Sequence, residues 1–275
     1  MHLHLSSHSI SPFHGLSSSI RSLRLEYPQA RPSELLGFVC SFLLLEDLAL
    51  LLGPSGYADC WTIPSILPRL TGSLELGGMV GGIGPIIHRL LDLQDGLRFT
   101  KITLVWMDEM DLKLAVDLIS RCSGTLETLI VTEDLPGAFS FTSCTRLIPY
   151  CRSQDRATTV FDISAARKLK HLEFWCHRTP AQWITMALQT INSKELRQIT
   201  VRAKSYNFVS VIDEMIYREW GELDRLLVQF WSSHSIRPRV MWQPGVGRGD
   251  MEVCVSWLFP ELTRGGLVDL GEYVN

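Results

Sequence analysis

The chain has 275 residues, of which 46% are hydrophobic, enough to form the core of one large domain or two small ones. Its formal net charge is -3, with lysine and arginine scattered among the acidic residues, so the basic stripe of a nucleic-acid-binding protein is missing. No segment has the length and apolarity of a signal peptide or a transmembrane helix, so the sequence predicts neither secretion nor a membrane span.

The composition of the first fifteen residues predicts a flexible N-terminus. His2, His4, His8 and His14 lie among serines there, with no apolar run of signal-peptide length. Four histidines could chelate a metal ion, but a metal site needs fixed geometry and supporting hydrogen bonds, so a disordered terminus is the preferred interpretation.

A short apolar pattern then recurs along most of the chain. Its clearest copy is Leu126–Val131, with leucines at the first and fourth positions, valine at the sixth and polar residues at the second and third, as expected of a strand with one buried face. Its fourth position recurs every 25 to 28 residues, at Leu23, Leu48, Leu74, Ile102, Leu129, Leu172, Ile199 and Leu226. One step, from Leu129 to Leu172, is 43 residues long and predicts an insertion near residues 133–164.

Helical spacing appears between the predicted strands. Helices are expected at Pro32 to Ser41, Pro85 to Leu93, Leu112 to Ile119, Trp183 to Ile191 and Phe208 to Trp220. Because parallel strands need a crossover of a dozen or more residues, the pattern predicts an α/β fold. We expect a leucine-rich-repeat-like right-handed solenoid, a horseshoe with a curved parallel sheet on its concave side and helices on its convex side. About eight units span residues 16–236, followed by a loop at 237–250 and a C-terminal cap at 251–275.

The seven cysteines form no C-x-x-C pair, so they suggest neither a zinc site nor a disulfide framework. Their odd number and the lack of an Asn-x-Ser/Thr glycosylation site favour a reducing compartment, the cytoplasm or the nucleus.

Several sequence features together resemble a known family. They are Leu23–Leu25, Arg121–Leu126, Arg218–Trp220 with Leu223–Leu227, and Leu258–Thr263. This combination resembles the F-box-associated leucine-rich-repeat regions abundant in mushroom-forming fungi. In that family the F-box docks the adaptor of a cullin-RING ubiquitin ligase while the repeats hold the substrate. The resemblance therefore implies a substrate-recognition role, with the ligase adaptor as a partner only if an F-box is present elsewhere, because none is visible in this sequence.

Strand alternation predicts which side chains point away from the core, on the concave face. They are Arg24, Glu26, Asp47, Ala49, Glu75, Lys101, Thr103, Thr128, Ile130, His171, Glu173, Trp175, Gln198, Thr200, Arg202, Arg225, Leu227 and Gln229. Acidic residues predominate at one end and Arg202 and Arg225 mark the other, so a groove with a charge gradient is expected to bind protein. Trp175, flanked by Glu173 and Arg202, is the preferred anchor, because tryptophan and arginine are enriched at binding hot spots.

Catalytic alternatives find little support in the sequence. Gly77–Gly84 follows a strand and precedes a helix, as a phosphate-binding turn does, but it contains neither G-x-G-x-x-G nor a P-loop motif. We therefore expect no enzyme activity and no cofactor, and a protein partner on the concave sheet. The alternative role is a stand-alone leucine-rich-repeat scaffold or inhibitor without any ubiquitin-ligase link.

Overall fold

The computed structural model describes residues 2–6, 19–26, 32–42, 44–52, 71–78, 83–92, 97–105, 109–132, 161–176, 182–204, 214–243 and 248–268. Strands and helices alternate through much of this part of the chain. The strands are β1 (His2–Ser6), β2 (Ser22–Glu26), β3 (Asp47–Leu52), β4 (Ser73–Gly78), β5 (Lys101–Val105), β6 (Thr128–Thr132), β7 (His171–Cys176), β8 (Gln198–Lys204) and β9 (Arg237–Gln243). The helices are α1 (Pro32–Cys40), α2 (Gly84–Leu91), α3 (Glu109–Arg121), α4 (Gln182–Gln189), α5 (Glu214–His234), α6 (Arg248–Leu258) and α7 (Pro260–Arg264).

All nine strands belong to one open sheet, and their order in the sheet is their order along the chain. Every neighbouring pair is parallel. The repeat positions are in register, so that Leu129 lies beside Ile102 on one side and Leu172 on the other. The α/β class and the parallel sheet predicted from the repeat are therefore confirmed.

One face of this sheet is the core face. Along β2, β3 and β6 buried residues alternate with half-buried ones, and the buried ones are the apolar residues of the repeat, such as Leu23, Leu48 and Leu129. Helix residues such as Phe38 in α1 and Ile184 in α4 belong to the same core cluster. The helices thus cover the face to which the repeat leucines point, and the opposite face carries most of the polar side chains of the strands.

A repeated hydrogen-bond pattern joins the starts of successive strands. The backbone N–H groups of Lys170 and His171 both donate to the carbonyl oxygen of Glu127, at 2.8 and 3.0 Å. A carbonyl oxygen can accept two such bonds because it has two lone pairs. The same paired bonding recurs at the carbonyls of Arg21, Gly72, Thr100 and Lys170. Five of the neighbouring strand pairs are therefore joined in the same way.

Seven of the eight predicted strands are confirmed as β2 to β8, but the eighth prediction is wrong. The segment Leu223–Val228 lies inside α5, a helix of 21 residues. Its apolar residues satisfy two periods at once, because Trp220, Leu223 and Leu227 are three and four residues apart and are all buried on one side of the helix. Arg225, Leu227 and Gln229 consequently do not lie on the sheet.

The predicted loop at 237–250 is wrong for residues 237–243 and 248–250, since Arg237–Gln243 forms β9 and α6 begins at Arg248; residues 244–247 lie outside the described residues. Pro238 and the glycines suggested a loop, yet β9 is an edge strand, where a proline without an N–H group is tolerated. Val240 lies beside Val201 and is fully buried, so β9 continues the core of the preceding strands.

At the other edge, the flexible N-terminus predicted for residues 1–15 is wrong for His2–Ser6, which form β1. Leu3 and Leu5 pair with Leu23 and Leu25, so the alternation of histidine and leucine extends the repeat by one strand. Residues 7–15 lie outside the described residues.

Two further boundaries concern the insertion and the C-terminus. Most of the predicted insertion, 133–160, lies outside the described residues, but Phe161 and Ile163 are buried and belong to the core cluster. In the predicted cap, α7 packs against α5 and α6, while residues 269–275 are outside the described residues.

None of the helices in the described ranges is long and apolar enough to cross a membrane.

Candidate protein-binding face

We call the sheet face opposite the core the open face. Its side chains form three rows that cross the strands, following the register of neighbouring residues. The first row is Ser22, Asp47, Ser73, Lys101, Thr128, His171 and Gln198. The second row is Arg24, Ala49, Glu75, Thr103, Ile130, Glu173, Thr200 and Arg239. The third row is Glu26, Leu51, Gly77, Val105, Thr132, Trp175, Arg202 and Met241.

At the β2–β4 end, an arginine is held between two carboxylates. Arg24 donates from Nε to Glu26 at 2.7 Å and from Nη1 to Glu75 at 2.6 Å. Desolvation by burial works to lower the pKa of Arg24, but the hydrogen bonds to Glu26 and Glu75 outweigh it and raise that pKa. The predicted residues Arg24, Glu26 and Glu75 are therefore brought together, as an ion-pair network between β2 and β4.

Asp47 belongs to the same end of the open face but contacts different groups. Its Oδ1 accepts hydrogen bonds from the backbone N–H of Ser73 at 2.7 Å and from the Ser73 hydroxyl at 2.8 Å. A Cβ atom added to Gly72 would lie 2.4 Å from this same oxygen, so glycine is required for the close approach of the two strands. Asp47 thus fixes the start of β4 as well as contributing negative charge to the open face.

The predicted anchor forms one cluster on β7 and β8. Glu173 accepts a hydrogen bond from the indole Nε1–H of Trp175 and makes an ion pair with Nε of Arg202. The guanidinium carbon of Arg202 lies 4.8 Å from the centre of the Trp175 ring, a cation–π contact. All three side chains are partly exposed, so the cluster is both preorganised and accessible.

Arg225 and Gln229 were predicted to extend this end of the face, and the structure places them elsewhere. Both are exposed on α5, where Nε of Arg225 donates to the carbonyl oxygen of Gly221. The last strand of the sheet instead brings Arg239 beside Thr200 in the second row. Arg239 was not predicted to lie on this face, because Pro238 argued against a strand at this point. The buried Val240 nevertheless continues the apolar alternation.

Between the two ends of the open face, the side chains of the third row are buried. Leu51 and Val105 are each only 1% exposed, and Thr132 is 7% exposed, although strand alternation turns them away from the core. A Cβ atom added to Gly77 would lie 2.8 Å from Leu51 Cδ2 and 2.9 Å from Val105 Cβ, so the two side chains meet over the glycine. The accessible middle of the open face therefore consists of the first and second rows, where Thr103 and Ile130 are half-buried and Lys101 is exposed.

Two observations concern metal ligands and thiols in the described part of the chain. Within the described residues, no three histidine, cysteine, aspartate or glutamate side chains lie close enough together to hold a metal ion. Cys122 is fully buried in the core, and burial raises the pKa of its thiol to about 11. No protein-family model, curated protein or solved structure matches the chain.

Proposed function

We propose that the chain is a leucine-rich-repeat-like right-handed solenoid that binds a protein partner on its open face without catalysis. Three features support the solenoid: the strands follow in chain order, one side of the sheet carries the core, and the same paired hydrogen bonds join five of the neighbouring strand pairs. Packed helices stand about 8–10 Å apart, whereas strands stand about 4.8 Å apart. A helix layer on one side therefore bends the sheet so that the open face becomes concave.

One observation carries the binding proposal. The open face presents charged, hydroxyl and aromatic side chains across the sheet, and at its β7–β8 end it holds tryptophan and arginine in a fixed, partly exposed cluster. Tryptophan and arginine are enriched among the residues that dominate protein interfaces, and fixing them before binding lowers the entropy lost on association. The cluster of Glu173, Trp175 and Arg202 is thus the proposed anchor for the partner.

The proposed biological role is substrate recognition like that of F-box leucine-rich-repeat proteins, and it rests on the sequence resemblance. A stand-alone scaffold or inhibitor would use the same face. Recovery of a cullin and its adaptor with the full chain would support the ligase role, and a partner recovered without them would support the scaffold. The free thiols of Cys40 and Cys122 favour a reducing compartment, so we propose the cytoplasm or the nucleus.

Photocrosslinking tests whether the open face is the contact surface. A photoreactive amino acid replaces Thr103 or Ile130 on the open face and, as matched controls, the exposed Lys113 or Asp117 on α3. After irradiation in extract of the source cells, we expect protein adducts from the first pair and not from the second. Equal adducts from both pairs, or adducts from α3 alone, would contradict the proposal.

A second test concerns the anchor. The double substitution Trp175→Ala, Arg202→Ala should abolish the adducts formed at Thr103 while leaving the melting temperature unchanged. The matched control is Arg225→Ala, Gln229→Ala, which removes two exposed side chains of α5 and should leave the adducts intact. Retention of the adducts in the first variant would remove the anchor from the proposal.

A further inference from the structure

We infer that the starts of β5 to β8 form a docking surface for an acidic segment of the protein partner, rich in aspartate and glutamate. The inference rests on the proposed function and adds a second contact surface and the chemistry of the segment that binds it. It follows from a local excess of positive charge, from the exposure of these side chains and from their continuity with the open face.

Basic residues that are scattered along the sequence meet where these four strands start. Because neighbouring strands are parallel and in register, the residues that lead into each strand lie side by side. Paired backbone hydrogen bonds at the carbonyls of Thr100, Glu127 and Lys170 join one strand start to the next. We call these leading segments the basic edge, and they are residues 97–101, 124–128, 167–171 and 194–198. They contain seven lysine or arginine residues and two glutamates, a net charge of +5 in a chain whose net charge is -3.

The positive side chains of the basic edge meet solvent. Six of its seven lysine and arginine residues are exposed, namely Arg98, Lys101, Arg167, Lys168, Lys194 and Arg197. None of these six makes an ion pair with a carboxylate among the described residues. The seventh, Lys170, is bonded to Glu127 at 2.7 Å and so cancels one of the two glutamates. An acidic partner would therefore gain contacts here without breaking an ion pair between described residues.

The charge is densest where the segments before β7 and β8 pack together. The Ser193 hydroxyl donates to the carbonyl oxygens of Arg167 and Leu169, at 2.9 and 2.8 Å. The backbone N–H of Arg197 donates to the carbonyl oxygen of Lys170 at 2.9 Å. Like charges on neighbouring strands destabilise a sheet, so carboxylates bound between these basic side chains would be stabilising.

The composition of the basic edge favours a polypeptide over a nucleic acid. Proteins bind single-stranded nucleic acids by stacking bases on aromatic rings, and Phe99, the only phenylalanine, tyrosine or tryptophan in these segments, is fully buried. The four strand starts span about 14 Å, a length that about four residues of extended polypeptide cover. A short run of aspartate and glutamate therefore matches both the charge and the length of the basic edge.

The basic edge is continuous with the open face. Lys101 and His171 belong to the basic edge and also to the first row of the open face, and both are exposed. Thr103, in the second row, lies two residues further along β5, a distance of about 7 Å. One partner can therefore contact the open face and place an acidic segment on the basic edge.

Short peptides test the inference on the full-length chain. The acidic peptide has about eight residues, most of them glutamate, so that it spans the four strand starts. The matched control peptide has glutamine in place of every glutamate. Fluorescence anisotropy at low salt should show the acidic peptide binding at least about tenfold more tightly, and the difference should shrink as salt screens the charges.

Variants and crosslinks locate the bound peptide. The double substitution Lys168→Gln, Arg197→Gln should weaken binding about fivefold, the effect of two exposed charge pairs, without changing the melting temperature. The matched control is Lys113→Gln, Arg225→Gln, which removes the same charge from exposed positions of α3 and α5 and should leave the affinity unchanged. A carbodiimide should join peptide carboxylates to Lys194 and not to Lys113.

Equal affinity for the two peptides, an equal effect of the two double substitutions, or crosslinks to Lys113 in place of Lys194 overturns this inference. Tighter binding of an oligouridylate of the same charge also overturns it and assigns the basic edge to nucleic acid. If the adducts at Thr103 persist in either case, protein binding by the open face stands and only the acidic segment fails. If the face-specific adducts are absent as well, the proposed function itself fails.

Discussion

A buried aspartate far from the open face ties the last helices together, and its removal gives a sharp prediction. Asp224 on α5 is 1% exposed, and its two oxygens accept the backbone N–H groups of Glu261 at 2.7 Å and Leu262 at 3.0 Å. These groups begin α7 and have no partner within that helix. Asp224→Ala removes both bonds. Loss of a helix cap costs about 1 kcal/mol and hydrogen bonds to a charged group about 1.5–3 kcal/mol, partly offset by relief of the buried charge, so we expect a loss of about 2 kcal/mol.

Urea unfolding followed by tryptophan fluorescence measures this loss. Trp220 reports on the region, because its ring packs edge-on against Phe259, the residue before α7, at 5.3 Å between centroids. In thermal unfolding the same loss should lower the melting temperature by about 5 °C. The matched control is Asp162→Ala, which removes an exposed carboxylate bonded to the N–H of Ser164 and should change stability by less than about 0.5 kcal/mol. If Asp224→Ala proves as mild as this control, α7 does not depend on Asp224.

The pH dependence of the same substitution tests the balance of forces on Asp224. Burial raises the pKa of Asp224 above its ordinary 3.8, and the two backbone hydrogen bonds only partly oppose it. A raised pKa means that the folded chain holds this proton more tightly than the unfolded chain. The stability contributed by Asp224 is then full below 3.8 and declines as pH rises through the raised value. The stability difference between wild type and Asp224→Ala should therefore shrink with rising pH, and a widening difference would show that the hydrogen bonds outweigh burial.

Further predictions concern the backbone spacing, the core thiol and a surface ion pair. Gly72→Ala should destabilise the chain by about 1–3 kcal/mol in urea unfolding, because its Cβ would clash with β3, whereas Gly124→Ala, with open space around it, should be neutral within about 0.5 kcal/mol. Cys122 should resist alkylation at pH 8 in the native state and react once the chain is unfolded, because its pKa is about 11 in the folded chain; rapid native labelling would contradict its burial. The hydrogen bond that Lys170 donates to Glu127, at 2.7 Å, lowers the pKa of the Glu127 carboxyl. In the Lys170→Met variant, an NMR titration should therefore find the pKa of Glu127 moved up toward the ordinary 4.5. An unchanged pKa would refute this cause.

The strands could be predicted from the sequence wherever the repeat leucines alternate with polar residues and no second period fits. That condition holds from β2 to β8, because a residue such as Leu129 is needed at the same point of every unit. It fails at Leu223 and Leu227, which suit a helix equally well once Trp220 is counted, and helix packing against α7 decides the outcome. The local apolar pattern therefore predicts a strand or a helix only where it fits one of the two periods and not both.

The candidate site could be predicted where it depends on the alternation of side chains along one strand. It could not be predicted where it depends on packing between residues that are far apart in the sequence. Alternation alone predicts that Glu173, Trp175 and Arg202 share a face, and the structure brings them into contact. The closure of the third row over Gly77 depends instead on how side chains of three strands meet, which no single segment encodes. The hydrogen bond from the backbone N–H of Glu261 to the Asp224 carboxylate joins residues 37 positions apart and likewise leaves no local signature.

A partner bound on the open face, as proposed, would meet the same local arrangement at both ends. At each end an arginine is held by carboxylates, Arg24 by Glu26 and Glu75, and Arg202 by Glu173. Holding these long side chains in place reduces the side-chain entropy that a partner's binding would cost. The same pairing cancels part of each charge, so the net attraction at either end is modest and salt-sensitive.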